Sequence, residues 1–198
     1  MEPQTIIFIG PQGSGKGTQI QKLDAVLSEK DKERDTIDFQ TGRRFRALAM
    51  KGEGYTEERV AETLDSGVLQ PLFLSVVLWG DAMREHMKPE RHVLIDGFPR
   101  TVAEAVVLES AFSFYLRKSV TLINLETPEE IVRERMLSRA RKDDTHESIE
   151  ARLLWYREET VPVLEYYRKR DNTTVHDIDG KDSIDGVHAQ ILSALGLN

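Results

Sequence analysis

The sequence predicts a doubly wound α/β fold, a five-stranded parallel sheet with helices on both faces, and two observations carry that prediction. Short runs of β-branched and aromatic residues recur without the alternation of a half-exposed sheet, which is the pattern of strands buried on both faces. Longer segments with apolar residues at helical spacing separate them, and strands alternating with helices make parallel sheets. The first run is Thr5-Ile6-Ile7-Phe8-Ile9, stopped by Gly10. Ile20, Leu23 and Leu27 follow at helical spacing and predict a helix from about Lys16 to about Ser28. Further strands are expected at Thr36-Ile37-Asp38-Phe39, Val93-Leu94-Ile95-Asp96, Val120 to Leu125 and Thr173 to Ile178. Between the second and third of these, residues 41–66 hold two helical stretches broken by Lys51-Gly52-Glu53-Gly54-Tyr55. That excursion is too elaborate for a simple crossover and predicts a small helical flap. Thr127-Pro128-Glu129-Glu130 marks a helix start, with Thr127 as cap, Pro128 at the first helical position and Glu130 closing a capping box. A chain of 198 residues without an internal repeat or linker is expected to form one domain.

Composition excludes several classes of function. With 27 Lys+Arg against 34 Asp+Glu the formal charge is -7, which cannot supply the basic face that a nucleic-acid backbone demands. An anionic ligand must therefore meet local clusters of arginine. The absence of cysteine rules out disulfides, thiolate chemistry and Cys-type zinc sites, and His86, His92, His146, His176 and His188 lack metal-ligand spacing, so no structural zinc is expected. The start of the chain has no basic and apolar leader, and no apolar stretch is long enough for a membrane span, so the expectation is a cytoplasmic protein without a membrane partner.

Gly10-Pro11-Gln12-Gly13-Ser14-Gly15-Lys16, followed by Gly17-Thr18, has the spacing of a P-loop in the variant where a glycine stands between the lysine and the hydroxyl residue. Gly13, Ser14, Gly15 and Gly17 let backbone N–H groups converge on phosphate oxygens, and the following helix N-terminus adds positive potential there. Lys16 is a mobile charge for the β- and γ-phosphates of ATP, and Thr18 is placed to face Mg²⁺. A glycine-rich turn that binds nothing is the alternative; the strand before and the helix after weigh against it.

The third strand ends in Asp96-Gly97-Phe98-Pro99-Arg100, which puts a carboxylate and a guanidinium at the carboxyl edge of the sheet. Asp96 is placed to hold the water shell of Mg²⁺ and Arg100 to fork onto a phosphate; a strand-end turn with a salt bridge is the alternative. Later in the chain come Arg135, Arg139, Arg141 and Arg152. Phosphoryl transfer needs in-line positioning and charge neutralisation more than covalent chemistry, and arginines serve both. Arg135 and Arg139, four apart beside Glu134, also fit a solvated helix face.

Together these segments resemble the adenylate kinase family: Gly13-Ser14-Gly15-Lys16-Gly17-Thr18-Gln19, Asp96 to Thr101, and Arg141-Lys142-Asp143-Asp144 ahead of Arg152, in the family's order across most of the chain. The resemblance implies ATP-dependent phosphorylation of a nucleoside monophosphate with Mg²⁺ bound along with ATP, AMP being the acceptor, in a monomer. It places Thr41, Gly42, Arg46, Gly97 and Arg100 on the acceptor monophosphate, and Gly67, Gln70 and the position of Glu104 around the acceptor base. Gly180 and Lys181 fall on the backbone loop against the ATP adenine, and Arg135 against the donor nucleotide. Lys16, Arg100, Arg135, Arg139, Arg141 and Arg152 form the catalytic set.

Three features depart from the family pattern. Arg43 stands where an acidic residue is usual and Arg44 where an apolar one is, which strengthens the positive field of Arg43-Arg44-Phe45-Arg46. Only Ala140 separates Arg139 from Arg141, so the lid is expected to be vestigial, around residues 139–143, and the transferring group more open to water. Glu104 replaces a glutamine, and a carboxylate that only accepts suits the two adjacent donors of guanine, unless Thr101 and Glu104 form a capping box. A kinase for GMP or another small acceptor, and a catalytically silent nucleotide sensor, remain open at this level.

Overall fold

Every side chain of β1 (Thr5–Ile9) is buried, because the strand lies in the middle of a sheet covered on both faces. The computed structural model describes residues 1–198 except Glu53, Ala140 and Lys142. Its five parallel strands run in the order β2-β3-β1-β4-β5, with β2 at Thr36–Gln40, β3 at His92–Asp96, β4 at Val120–Glu126 and β5 at Thr173–Asp179. The predicted strands β2 to β5 each prove a single residue longer at one end. Ile7, Ile9, Val93, Ile95 and Leu122 face one apolar layer, while Ile6, Phe8, Leu94, Ile123 and Ile178 face the other. That double burial is why the runs are continuous in sequence.

Helix α1 (Lys16–Lys30) leaves β1 through the glycine-rich turn and packs Ile20, Leu23 and Leu27 on the sheet. Helices α2 (Thr41–Lys51) and α3 (Tyr55–Asp65) form the excursion between β2 and β3, joined to α4 (Leu72–His86) by a small core of Phe45, Val60 and Leu74. Helix α5 (Val102–Phe114) follows β3. A second hairpin, α6 (Glu129–Ser138) and α7 (His146–Trp155), is held by Val132, Met136, Ile149 and Leu153. The expected lid segment lies between these two helices, and its central residues, Ala140 and Lys142, are outside the described residues. A π-helical turn (Tyr156–Thr160) joins α7 to α8 (Val161–Arg168), and α9 (Ile184–Leu195) closes the chain.

One helix start differs from expectation. Pro128, not Thr127, is the cap of α6, and it makes no side-chain cap bond. Thr127 Oγ1 is buried with no hydrogen-bond partner among the described residues. A Cβ at Gly180 would lie only 2.1 Å from that hydroxyl, so Thr127 is turned against the loop after β5 and away from the helix N-terminus. Among the described residues no helix is long and apolar enough to cross a membrane.

Candidate active site

The carboxyl ends of β1 and β3 open into a cleft of about 800 Å³, beside the point where strand order reverses about β1 and where open α/β sheets take ligands. The glycine-rich loop forms its floor. Gly13 and Gly15 sit at φ 89° and 99°, a region in which side chains are strained, and a Cβ on Gly13 would come within 2.8 Å of Met136 Cγ. Lys16 curls over the loop, donating to the carbonyls of Gly10 and Pro11 at 2.7 and 2.8 Å. Burial lowers its ammonium to about pKa 8, against the charge of Asp96 and with the help of Arg100 and Arg139. Thr18 lines the cleft near the start of α1.

The end of β3 is tied to the end of β2. Thr41 Oγ1 donates to the carbonyl of Gly97 at 2.9 Å, and Arg100 Nε donates to the same carbonyl at 2.7 Å. Gly97 has φ 86° and faces Thr41 Oγ1 at a distance that a Cβ would close to 2.9 Å. The Phe98–Pro99 peptide is cis. Arg100 is held by its backbone on both sides: its N–H donates to Glu104 Oε2 at 2.7 Å and its carbonyl accepts from Thr160 Oγ1 at 2.9 Å. Asp96 and Asp38 share one face of the sheet. Burial, with the nearby charge of Asp96, raises the Asp38 carboxyl to about 6.

Arg46, Arg100, Arg135, Arg139 and Arg141 all line the cleft with Lys16 and Asp96. Burial lowers the guanidiniums of Arg46, Arg100 and Arg141 below their ordinary range, and neighbouring arginines push in the same direction. So dense a set of cations suits an anion carrying several charges. Arg135 bridges the loop and the far wall, donating to the carbonyls of Ser14 at 3.4 Å and Gly180 at 3.2 Å. Gly180 in turn donates to the carbonyl of Glu126. The Lys181 ammonium lies 3.9 Å from Asp179, outside the cleft lining.

Arg152 departs from its expected place. It is 4% exposed and donates to Asp144, Asp143 and the carbonyl of Leu64 at 2.7, 2.7 and 3.2 Å. It lines a small cavity with Arg46, Arg100 and Gly67 instead of the main cleft. Asp144 also receives both arms of Arg139, at 2.6 and 3.0 Å. Asp143 and Asp144 therefore set the positions of two site arginines, a role that their neighbourhood in sequence does not reveal.

A second pocket of about 290 Å³ opens beside the first, lined by Gln70, Ser75, Arg100, Thr101, Glu104 and Glu159 among others. Glu104 is buried, and its two carboxylate oxygens already accept from Ser75 Oγ at 2.5 Å, Trp79 Nε1 at 3.0 Å and the Arg100 N–H. Half of the expected capping box forms: Thr101 Oγ1 accepts from the Glu104 N–H, whereas the Glu104 side chain turns to Arg100. Gln70 lines this pocket and Gly67 does not; Gly67, at φ 71°, backs onto Ser148 of α7, whose carbonyl would lie 2.4 Å from an added Cβ. Among the described residues no group of three or more His, Asp or Glu has the arrangement of a metal cage.

The family model described as Adenylate kinase matches residues 8–172. Similar proteins include the adenylate kinase of Corynebacterium urealyticum, 35% identical over 190 residues and covering 96% of this chain and 98% of that protein. The adenylate kinase of Thermus thermophilus is 35% identical over 198 residues, with 98% of both chains covered. That of a Cyanothece species is 35% identical over 190 residues, 94% of this chain and 92% of its own. Matched across nearly its whole length, and carrying a phosphate loop, a strand-end carboxylate and a converging set of arginines, the chain belongs to the adenylate kinase family of nucleoside monophosphate kinases.

Proposed function

We propose that the protein transfers the γ-phosphoryl group of ATP to AMP, giving two molecules of ADP, with the donor over the glycine-rich loop and the acceptor between α2, α3 and the end of β3. The observation that carries this reading is the convergence of Lys16, Asp96, Arg46, Arg100, Arg139 and Arg141 on one cleft. Backbone N–H groups of residues 13 to 18 hold the donor phosphates, and Arg135 with Gly180 borders the donor nucleotide. Arg46 and Arg100 take the acceptor phosphate, while Arg139 and Arg141 neutralise charge on the oxygens in flight. Arg152 acts one step back, by holding Asp143 and Asp144. Helices α2 and α3, residues 41–66, serve as the acceptor flap.

Mg²⁺ arriving with ATP fits the donor set, because Thr18 and Asp96 offer hard oxygen ligands and leave room for phosphate oxygens and water. When bound it supplies charge neutralisation at the β- and γ-phosphates. Gln70 lines the second pocket, where its amide, now paired with Thr63 Oγ1 at 3.0 and 3.1 Å, carries the one donor and one acceptor that an adenine edge needs, and the likeness to adenylate kinases supports AMP over other acceptors. A coupled assay of ATP against AMP, GMP, CMP, UMP and dTMP tests the reading. Turnover is expected to be highest with AMP, and a flat or silent panel would overturn it.

Two further outcomes are expected. Because the protonated form of Lys16 meets the phosphates, ATP should bind with full affinity below about pH 8 and more weakly as pH rises through that value. Bound phosphate raises the ammonium pKa, which is the same coupling seen from the other side. Titration calorimetry on either side of pH 8 checks this, and a dissociation constant that does not move would place Lys16 away from the phosphates. Glu104→Gln leaves an NH₂ facing either the Trp79 or the Arg100 N–H. An unpaired buried donor costs about 1–3 kcal/mol, and for a chain of this size each kcal/mol lowers the melting temperature by about 2–4 °C. The melting temperature should fall while the AMP to GMP ratio of kcat/KM stays constant; a shifted ratio at constant melting temperature would restore Glu104 to base reading.

A further inference from the structure

Trp155, the last residue of α7, touches two parts of the site at once. Its ring lies under the Arg100 guanidinium, with the guanidinium carbon 5.3 Å from the ring centroid. Its indole N–H donates to the carbonyl of Gly67 at 3.0 Å, at the end of the excursion formed by α2 and α3. The contact is built closely, since Gly67 leaves no room for a Cβ against Ser148, and Arg152 on the preceding turn reaches the carbonyl of Leu64 at 3.2 Å. Trp155 also lines both the main cleft and the small cavity that holds Arg46, Arg100 and Arg152.

Arg100 has its backbone clamped by Glu104 and Thr160 and its Nε committed to the Gly97 carbonyl. What remains to be set is the plane of the guanidinium, and an aromatic face sets it. A cation over an indole is attracted to the ring face, more strongly where water is excluded, and the two planes tend to stack. We propose that Trp155 is a positioning residue for the acceptor phosphate, coupling the orientation of the Arg100 guanidinium to the docking of the flap through Gly67. This rests on the reading that Arg100 contacts the acceptor phosphate. The donor phosphates lie over the loop on the other side of the cleft, so the effect falls on the acceptor.

Steady-state kinetics with AMP varied at saturating ATP, and ATP varied at saturating AMP, test the coupling. Trp155→Leu should raise KM for AMP about tenfold and leave KM for ATP within about twofold. Trp155→Phe keeps a ring face and loses the N–H, so its KM for AMP should fall between those of Trp155→Leu and the parent enzyme. The ratio of the two KM values is the readout because a partly unfolded sample lowers kcat without changing either KM. Arg100→Ala separates the two claims. If it leaves KM for AMP unchanged, the assignment of Arg100 fails; if it raises KM while Trp155→Leu does not, the role of Trp155 alone fails. In the double variant, Trp155→Leu should add little to Arg100→Ala, and full additivity would overturn the coupling.

Discussion

Lys16→Met should lower kcat by about 100- to 1,000-fold, the scale on which removal of one preorganised charge partner of a transition state acts. The ammonium rests on the carbonyls of Gly10 and Pro11, from where a flexible stem can carry it to the phosphates. Charge that grows on the transferring oxygens meets Lys16 most strongly in the transition state, so ATP binding should weaken far less than turnover slows. Methionine keeps the length of the stem, and the site opens on a solvent-filled cleft, so the melting temperature should stay near that of the parent. Near-normal kcat in a folded variant would remove Lys16 from the catalytic set.

Asp144→Ala should be the most destabilising single change in the site. The Asp144 side chain has no exposed surface, and it accepts from both Arg139 and Arg152. Burial works to raise its carboxyl, but the hydrogen bonds and charges of the two arginines prevail and hold it below the ordinary range. A carboxyl lowered in the folded state contributes stability that is present above its unfolded pKa and lost as pH falls through the folded one. Removing one partner of a buried ion pair costs about 3–5 kcal/mol because the remaining charge is stranded. At about 2–4 °C per kcal/mol the melting temperature should fall by about 6–20 °C. Turnover should fall with it, since Arg139 and Arg152 lose their common anchor. Thermal melts of Asp144→Ala and Asp144→Asn check this; a change within about 0.5 kcal/mol, the range of an unremarkable surface substitution, would show that the network is not what holds the arginines.

Much of this protein could be read locally. β1, β3 and β4 are legible because burial on both faces writes itself as a nearly uninterrupted apolar run, the partly exposed edge strands β2 and β5 because short β-branched runs stand between helical segments, and α1 because Ile20, Leu23 and Leu27 meet the sheet on one stripe. The phosphate loop and Asp96 to Arg100 are contiguous segments whose chemistry depends on neighbours in the chain. The rest depends on which partners the fold brings together. Ser75 and Trp79 lie more than twenty residues from Glu104, yet they decide where its carboxylate goes. Asp143 and Asp144 appear in the sequence only as part of the run from Arg141 that carries the family resemblance, and their pairing with Arg139 and Arg152 is seen only in the fold. Thr127 has the spacing of a cap, but packing against Gly180 claims the residue. Trp155 gives no signal in sequence, since an aromatic residue at the end of an amphipathic helix is usually core.

The π-helical turn at Tyr156–Thr160 acts as a phase shifter. Upstream of it, Arg152 and Trp155 are turned toward the arginine cluster; downstream, Val163, Leu164 and Tyr167 are turned into the main apolar layer. In an α-helix each residue advances the azimuth by about 100°, so deleting one residue from this turn would rotate one stripe against the other by that amount. The rod from His146 to Arg168 would then face either the nucleotide cleft or the sheet, but not both. Thr160, bonded to the Arg100 carbonyl, stands at the joint where the two phases meet. The length of this one turn is therefore a site parameter as much as the identity of any arginine, and insertions or deletions tolerated in the neighbouring loops should be excluded here.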